Sequence, residues 1–471
     1  MLVFFTLALL GSSTPCVAVV TSEYESLEDM QRAIDLTPPP WDLKRFLQSL
    51  PPLGRPLRCA APCIGIDGCG AAMQIMGLAP CEMVNVYDLE EGYRQTLFNH
   101  LLELGMKSVN IRLNLGQQAG DLLRANLADL ELPVDMLVCG PPCPPWAGQG
   151  NHHSCRDERA KVFMAIIEWI VFLASCGGLL CCVVENVTGM LCSYGGIEPA
   201  MDKFIRILRE HVPFFDWCVD TLKLVNYTCP QTRVRVFLRG IRKTVIAFVP
   251  KPLPPFGKRK LRDALAKLPH TPRHCFSTQQ QDNIKVFEAK IRSLVQAGRL
   301  YMEDLCVVPP DRQDGLGYPQ KMTVNNCPTF TCHNFDLLVL SVHDVVHDVP
   351  DASREFFRIL SPPERLTLQG FPAKMAATLG KTLTYKASGN AYPPPLMLAC
   401  LYPMMAAIGS SSINLQLWPP SDLPKLLPDP QLVRLRRLLL ARGRIVNRNK
   451  FAAAKHKAAL SKKRKSSSDS D

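Results

Sequence analysis

The sequence predicts an α/β fold built around a parallel sheet. Two observations carry this prediction. Short apolar runs typical of buried strands alternate with longer runs of helical periodicity through the first half of the chain. Small or polar residues follow directly where the strand-like runs end, which is where parallel sheets bind their ligands. The residues at four such ends are the first candidates for a site: Gly65, Asp88, Cys143 and Glu185.

The individual elements follow from hydrophobic periodicity and from the positions of glycine and proline. Short apolar runs predict strands, and apolar residues that recur every three or four positions predict helices. In chain order we predict a glycine-rich turn at 63–70, a helix at 71–76, a strand at 83–87, a helix at 90–104, a strand at 134–139, a helix at 162–175, a strand at 179–184, a helix at 203–209, a strand from Val236 and a strand at 337–342.

Composition bounds the class of protein. A chain of 471 residues is long enough for two or three domains, and 47% hydrophobic with 20% charged residues is typical of a globular protein. The 19 cysteines lack the paired C-x-x-C spacing of a zinc ribbon or a small disulfide scaffold. Cys327, Cys332 and His333 come nearest to a ligand cluster, yet we expect no metal site, because unpaired cysteines among apolar residues are typical of buried thiols in a reducing compartment.

The two ends of the chain differ from the rest. Residues 2–10 form an apolar run that is too short to span a bilayer, for which roughly 20 residues are needed. This run resembles the core of a signal peptide but lacks a positive segment before it. Because the rest of the chain indicates an intracellular role, we favour an N-terminal extension or a misassigned start, and expect no membrane association. Thirteen Lys and Arg and no Asp or Glu lie between Gln431 and Lys465, in a chain of net charge +12. This basic tail predicts a nuclear-import signal, a nucleic-acid anchor or a solvated charged segment, and we expect a nuclear protein.

Cys143 is held in an unusually stiff segment. Pro141, Pro142, Pro144 and Pro145 surround it, and proline fixes its own φ and removes a backbone donor. A thiol held in this way at the end of a strand is typical of a nucleophile that must stay in attack geometry. A buried structural thiol is the alternative interpretation.

Further short motifs occur in a fixed order along the chain. They are Gly140-Pro-Pro-Cys143, Glu185-Asn186-Val187, Gln231-Thr-Arg233-Val-Arg235, Arg365-Leu-Thr-Leu-Gln-Gly-Phe-Pro372 and Gly389-Asn390-Ala391-Tyr-Pro-Pro394. In this succession they resemble the motifs of the DNA (cytosine-5) methyltransferase family, and the resemblance runs from about residue 58 to residue 405.

The resemblance implies a fold and a division into domains. The expected fold is a Rossmann-like S-adenosylmethionine-dependent methyltransferase sheet with a smaller target-recognition domain. The expected segments are an N-terminal extension at 1–55, the catalytic S-adenosylmethionine-binding domain at 56–245, the target-recognition domain at 246–357, a segment at 358–410 that completes the catalytic domain, and a proline-rich, then basic, tail at 411–471.

The chemistry of the reaction assigns roles to the catalytic motifs. Carbon 5 of cytosine is a poor nucleophile until a thiolate adds at carbon 6, which is the role of Cys143. Glu185 is expected to protonate ring N3, and Asn186 to orient either the base or the Pro-Cys loop. Arg233 or Arg235 is expected to supply a positive charge that lowers the thiol pKa.

The resemblance also implies a cofactor site. The family usually has Asp, Phe and Gly where this chain has Ala61, Cys63 and Asp67, and usually has Glu in place of Asp88. Asp88 is expected to hold the ribose and Asp121 the adenine amino group of S-adenosylmethionine. The expected cofactor-binding residues are Cys63, Ile64, Gly65, Gly68, Asp88, Leu89, Asp121, Leu122, Pro142, Asn390 and Ala391.

Three functions are open at this point. The first is a monomeric DNA cytosine-5 methyltransferase that flips its target cytosine out of the duplex. The second is an RNA (tRNA) cytosine-5 methyltransferase that uses the same catalytic core. The third is a non-enzymatic nucleic-acid-binding relative whose altered cofactor turn no longer holds S-adenosylmethionine. The intact catalytic motifs favour an enzyme.

Overall fold

A computed structural model of the chain describes most of its middle. The described residues are 49–75, 81–88, 90–103, 111–113, 122–147, 160–193, 198–265, 276–311, 322–331, 336–421, 423–424 and 429–440. The predictions for residues 2–10, for Leu89 and Asp121, and for the basic tail beyond Leu440 lie outside these residues.

A sheet of seven strands lies at the centre of the described part of the chain. Its strands are β1 (Arg58–Pro62), β2 (Glu82–Tyr87), β3 (Ile111–Leu113), β4 (Met136–Cys139), β5 (Cys181–Asn186), β6 (Phe215–Lys223) and β7 (Val234–Arg242). Their order across the sheet is β3-β2-β1-β4-β5-β7-β6. Every residue of β4 and β5 is buried, as expected for strands that are covered on both faces.

The predicted parallel sheet is confirmed for five strands, with one correction. β1 to β5 pair in parallel, whereas β7 is antiparallel to both of its neighbours, β5 and β6. A run such as Val-Phe-Leu predicts a strand but carries no information on its direction. The reversal matters for the site, because it brings the first residues of β7 beside the last residues of β5.

Helices cover both faces of this sheet, as the alternation of strand and helix predicts. The helices are α1 (Gly68–Ile75), α2 (Glu91–Glu103), α3 (Ala160–Cys176), α4 (Ala200–His211), α5 (Leu261–Leu265), α6 (Thr278–Gln296), α7 (Val342–Val346), α8 (Pro362–Thr367), α9 (Met375–Asn390), α10 (Pro394–Ser410) and α11 (Asp429–Leu440).

Two apolar cores lie against the two faces of the sheet. On one face, α1 and α10 pack against β1, β2 and β5. On the other, α3, α4 and α11 pack against β4, β5 and β7. α3 is apolar nearly all round, which is typical of a helix that is buried on most of its surface. The result is a three-layer architecture with loops at the carboxyl edge of the sheet.

A second, smaller sheet forms between β7 and α9. Its strands are β8 (Leu305–Val308), β9 (Thr323–Val324), β10 (Leu338–Ser341) and β11 (Phe357–Ile359), all antiparallel in the order β11-β10-β8-β9. α6 packs on it and begins with a capping box, in which Ser277 and Gln280 satisfy each other's backbone N–H groups. This sheet lies in the segment for which a smaller domain is predicted, and the predicted boundary at 357 falls on the first residue of β11.

Among the described helices, none is by itself long and apolar enough to cross a membrane. α9 and α10 taken together, bent by 48°, have the length and composition of a broken span.

Candidate active site

A cavity of about 320 Å³ opens at the carboxyl edge of the large sheet. Its walls come from the ends of β1, β2, β4 and β5, the start of β7 and the connection from α9 to α10. The predicted site residues that line it are Cys63, Ile64, Gly65, Asp88, Leu122, Pro142, Cys143, Glu185, Arg233, Arg235, Asn390 and Ala391.

The other predicted site residues are placed differently. Gly68 and Asn186 do not line the cavity, and both act from behind its wall through contacts described below. Leu89 and Asp121 lie outside the described residues.

The loop that carries Cys143 is anchored on both sides. The backbone N–H groups of Trp146 and Ala147 both donate to the Cys143 carbonyl at 3.0 Å, which closes a tight turn. The Trp146 ring is fully buried and meets Phe163 edge to face, with ring centroids 5.5 Å apart. The thiol therefore projects into the cavity from a loop that has little freedom to move.

Asn186 is hydrogen-bonded to this loop. Its Nδ2 donates to the Pro141 carbonyl at 3.2 Å, and its Oδ1 accepts from the Val187 N–H at 2.9 Å. Asn186 is 1% exposed, so its amide is not free to reach a base in the cavity. Of the two roles expected for this residue, the geometry favours orientation of the Pro-Cys loop.

Glu185 and Arg235 form a buried ion pair across neighbouring strands. Arg235 Nε lies 2.8 Å from Glu185 Oε1, and both side chains are at least nine-tenths buried. Burial raises the pKa of Glu185, while Arg235 and Arg233 partly offset this rise. A carboxyl group whose pKa is raised in this way is suited to donate a proton near neutral pH.

Opposing influences act on the pKa of the Cys143 thiol. Burial raises the pKa of Cys143 above its ordinary value; Arg235 and Arg233 lower it and Glu185 raises it. The arginines thus act in the expected direction, but desolvation of the thiolate outweighs them.

Arg233 makes different contacts from Arg235, although the two lie only two residues apart in the chain. Its Nη2 donates to the carbonyls of Gly389 at 3.0 Å and Ala391 at 2.6 Å, and its Nη1 to those of Ser388 at 3.3 Å and Phe330 at 3.4 Å. Burial lowers the pKa of Arg233 to about 9, and the nearby Arg235 charge adds to this effect. Arg233 binds the segment that begins with Gly389 to the large sheet and to Phe330, which belongs to the smaller sheet's segment.

Gln369 also binds the segment that Arg233 holds. Its Nε2 donates to the Ser388 carbonyl at 2.6 Å and lies 3.3 Å from Gln231 Oε1. Arg365 stacks over Tyr385, with its guanidinium carbon 3.7 Å from the ring centroid. Two of the sequence motifs therefore hold the connection between α9 and α10 in place, one through Arg233, which also lines the cavity, and the other through Gln369, which does not.

The turn after β1 is shaped by its backbone. Cys63, Gly65 and Asp67 all have positive φ, at 55°, 61° and 65°. Asp67 Oδ1 accepts from the Gly70 N–H at 2.7 Å, which stabilises this conformation in place of a glycine. The chain thus keeps a tight turn although its side chains differ from the usual pattern.

Asp88 ties this turn to the end of β2. Its Oδ2 accepts from the Gly65 N–H at 2.9 Å, and its Oδ1 from the Glu90 N–H at 2.9 Å. Burial raises the pKa of Asp88, and these two hydrogen bonds partly offset the rise. Each carboxylate oxygen has a second lone pair, so Asp88 can still accept from a bound ligand.

Sequence reasoning missed several residues of the cavity wall. Tyr392, Tyr93 and Lys386 line it, and Lys386 forms an ion pair with Glu90. Tyr392 occupies the variable position of the last motif, so motif matching passed over it. The helical pattern around Tyr93 and Lys386 gave no signal, because their cavity contacts depend on the packing of α9 against α2.

A larger cavity of about 580 Å³ lies between α3 and α11. Leu122 borders it, but none of the predicted catalytic residues does, and its Glu168 and Arg436 are paired with each other at 3.1 Å. The described residues contain no group of three His, Cys, Asp or Glu that could hold a metal ion. Cys332 and His333 of the one predicted alternative lie outside them.

Comparison with known proteins adds independent information. The family model for C-5 cytosine-specific DNA methylase matches residues 110–404. The type II methyltransferase M.MthTI of Methanothermobacter thermautotrophicus is 29% identical over 141 residues. That alignment covers 30% of this chain and 40% of the relative, so the chain matches well under half of the relative's length.

Solved structures with a similar trace include two methyltransferases. The Entamoeba histolytica methyltransferase EhMeth is 12% identical, with a TM-score of 0.46 over 74% of this chain and 98% of that one. The Dnmt2 methyltransferase of S. pombe is 16% identical, with a TM-score of 0.43 over 75% of this chain and 98% of that one.

Proposed function

The chain belongs to the C-5 cytosine-specific DNA methylase family, and we propose that it methylates cytosine in DNA through a covalent bond from Cys143. The observation that carries this proposal is the convergence of three groups on one cavity. The Cys143 thiol, the Glu185 carboxyl and the Arg235 guanidinium all line it, with Glu185 and Arg235 in contact at 2.8 Å.

The residues at the other end of the cavity fit S-adenosylmethionine, the methyl donor of this family. A volume of about 320 Å³ lies in the roughly 300–1,000 Å³ range of small-molecule pockets. Asp88 offers acceptors at the end of β2, and the Cys63–Gly65 backbone and Asn390 line the same space. When bound, S-adenosylmethionine supplies a methyl group on a positively charged sulfur.

Cys143 starts the reaction as the nucleophile. Its sulfur forms a bond to carbon 6 of cytosine; the electron pair of the C5–C6 double bond moves to the C4–C5 bond, and the pair of the C4–N3 double bond takes a proton from Glu185 at N3. Carbon 5 would then take the methyl group with the C4–C5 electron pair, the bond from methyl to the donor sulfur breaking with its electron pair left on that sulfur. Loss of the carbon 5 proton to water supplies the electron pair that re-forms the C5–C6 double bond and expels the Cys143 sulfur as a thiolate, and the N3 proton returns to Glu185.

Burial raises the pKa of Glu185, which suits its proposed role in these reaction steps. The raised pKa of Glu185 favours the protonated acid that N3 requires, and Arg235 stands ready to stabilise the carboxylate once the proton has moved. Burial raises the pKa of Cys143 and so opposes formation of the attacking thiolate, while the charges of Arg235 and Arg233 favour it.

DNA is the substrate proposed here, with the target cytosine turned out of the duplex to reach Cys143. A base inside a duplex is inaccessible to a thiol at the floor of a cavity, and turning it out costs a few kcal/mol, less at a mismatch. RNA cytosine is the competing substrate, because the same chemistry serves both polymers.

The test is covalent trapping with matched oligonucleotides. Duplex DNA and RNA of the same sequence, each with 5-fluorocytosine at the target, are incubated with the full chain and S-adenosylmethionine. Fluorine cannot leave carbon 5 as a cation, so the Cys143 adduct persists through denaturing electrophoresis. We expect trapping on DNA by the wild type and none by Cys143→Ser, which keeps the loop but lacks the thiolate. Trapping only on RNA would move the substrate to RNA, and trapping by Cys143→Ser would overturn the assignment of the nucleophile.

A further inference from the structure

Tyr392 lies between the cofactor turn and the loop of the nucleophile. It is 2% exposed and lies in the connection from α9 to α10. A Cβ atom built on Gly68, the first residue of α1, would lie 2.5 Å from Tyr392 Cδ2. A Cβ atom built on Gly140, just after β4, would lie 2.7 Å from Tyr392 Cδ1. One edge of the ring therefore touches the start of α1, and the other touches the start of the Cys143 loop.

The two glycines differ in which atoms of Tyr392 lie nearest to them. At Gly68 the Tyr392 backbone carbonyl also lies against the position of the missing Cβ, whereas at Gly140 the nearest atoms are ring atoms, followed by Glu185 Oε2 at 3.3 Å. A side chain at 68 would thus meet both the ring and the backbone at 392, but a side chain at 140 would meet mainly the ring.

The shape of the ring, and not its hydroxyl, makes these contacts. The Tyr392 hydroxyl is buried and finds no hydrogen-bond partner among the described residues. The Gly140 N–H donates to the Cys63 carbonyl at 3.3 Å, so the cofactor turn and the nucleophile loop also touch through their backbones beside the ring. The ring fills the space that two glycines leave open.

We propose that Tyr392 is a positioning residue whose ring sets the spacing between the cofactor turn and the loop that carries Cys143. This proposal rests on the function proposed above, because methyl transfer requires that both the methyl donor and the Cys143 sulfur be held in position. Without the ring, the loop at Gly140 can shift toward α1 and carry the thiol away from attack geometry.

The experiment is a double-mutant cycle on the full chain. Tyr392→Val removes the ring, Tyr392→Phe keeps it, and Gly140→Ala adds a methyl group against it. The matched control is Gly68→Ala, whose methyl group would meet the Tyr392 backbone carbonyl even after the ring is removed. For each variant, we would measure kcat at saturating S-adenosylmethionine and KM for S-adenosylmethionine, with duplex DNA as the substrate. The temperature of unfolding of each variant is measured as well.

The expected result is a strong coupling between Gly140 and Tyr392. A misplacement of about 1 Å costs on the order of 100-fold in rate, so kcat of Tyr392→Phe should exceed that of Tyr392→Val by at least about 30-fold. Gly140→Ala should lower kcat at least about 10-fold in the wild-type background but less than about 3-fold in the Tyr392→Val background, where the shorter side chain leaves room for the added methyl group. Gly68→Ala should remain costly in both backgrounds, because its clash with the Tyr392 backbone carbonyl stays when the ring is removed.

Two results would overturn the inference. One is an equal cost of Gly140→Ala in both backgrounds, and the other is an equal kcat for Tyr392→Phe and Tyr392→Val. A wild type that transfers no methyl group would instead defeat the proposed function. The same variants are then compared by calorimetry with S-adenosylhomocysteine, where coupling of Gly140 to Tyr392 still supports the ring's role and the absence of that coupling still defeats it.

Discussion

The two halves of the cavity are built from different parts of the chain. In the half proposed to hold the nucleophile, which we call the nucleophile half, the proposed chemistry resides in three side chains: the Cys143 thiol, the Glu185 carboxyl and the Arg235 guanidinium. In the cofactor half, the walls are mainly backbone: the positive-φ turn from Cys63 to Asp67, held by the Asp88 carboxylate.

This difference explains where the sequence departs from the usual pattern. A thiol that must add to a ring, or a carboxyl that must carry a proton, has no substitute among the other side chains. A turn can be built in several ways, provided that its backbone keeps the same φ and ψ angles. Asp67 at φ 65° shows one such solution, with its own side chain closing the turn on Gly70 at 2.7 Å.

The sharpest test of the comparison is a change in the nucleophile half. Glu185→Gln preserves the shape of the side chain but removes the proton that N3 needs. We expect kcat to fall by about 10²–10⁴-fold, the usual contribution of a general acid. The affinity for S-adenosylhomocysteine, measured by calorimetry, should change far less than kcat. A loss of affinity as large as the loss of kcat would mean that the two halves are not separate.

The converse test is a change in the cofactor half. Asp88→Ala removes the acceptor of the Gly65 and Glu90 N–H groups, and with it the ribose contact proposed for this carboxylate. Hydrogen bonds to charged groups contribute about 1.5–3 kcal/mol each, so we expect S-adenosylhomocysteine to bind about 10- to 100-fold more weakly. Asp88→Asn is the matched control, since it keeps one acceptor oxygen and should lose less affinity. Unchanged affinity in Asp88→Ala would remove Asp88 from the cofactor site.

The smallest expected effect is a shift in the pH dependence of the thiol. Alkylation of Cys143 by iodoacetamide, followed by peptide mass spectrometry, should increase with pH as the thiolate forms, with a midpoint above the ordinary thiol value because burial raises the pKa of Cys143. Arg235→Gln removes a charge that lowers this pKa and should move the midpoint up. Glu185→Gln removes a charge that raises the pKa of Cys143 and should move the midpoint down. Shifts of the same sign in both variants would contradict the electrostatic picture.

The sequence places Cys143 and Glu185 in short motifs at strand ends, and the structure brings both to one cavity. The predictions for Cys143 and Glu185 required only that two neighbouring strands of a parallel sheet end at one edge, as β4 and β5 do. The choice between base and loop for Asn186 could not be made from the motif. It depends on the position of the Pro141 carbonyl, which only the folded chain supplies.

Other features could not be predicted because they depend on contacts between distant parts of the chain. The partners of Arg233 at Ser388 and Ala391 lie 155 and 158 residues away along the chain. The position of the Tyr392 ring depends on the absence of side chains at Gly68 and Gly140. Local patterns of hydrophobicity contain no trace of either contact.

The place of α9 and α10 in the chain has a consequence for synthesis. Both follow the smaller sheet along the chain, yet α10 packs in the same apolar core as β1, and Asn390 and Tyr392 complete the wall of the cavity. Protein chains emerge from the ribosome N-terminus first, and their domains begin to fold in that order. A nascent chain that stops before Asn390 therefore has its cysteine nucleophile but an open cavity and an uncovered sheet face. The cavity is therefore complete only once Asn390 and Tyr392 have been synthesised, and products truncated before them should fail to bind the methyl donor and be recognised by chaperones and proteases as unfinished.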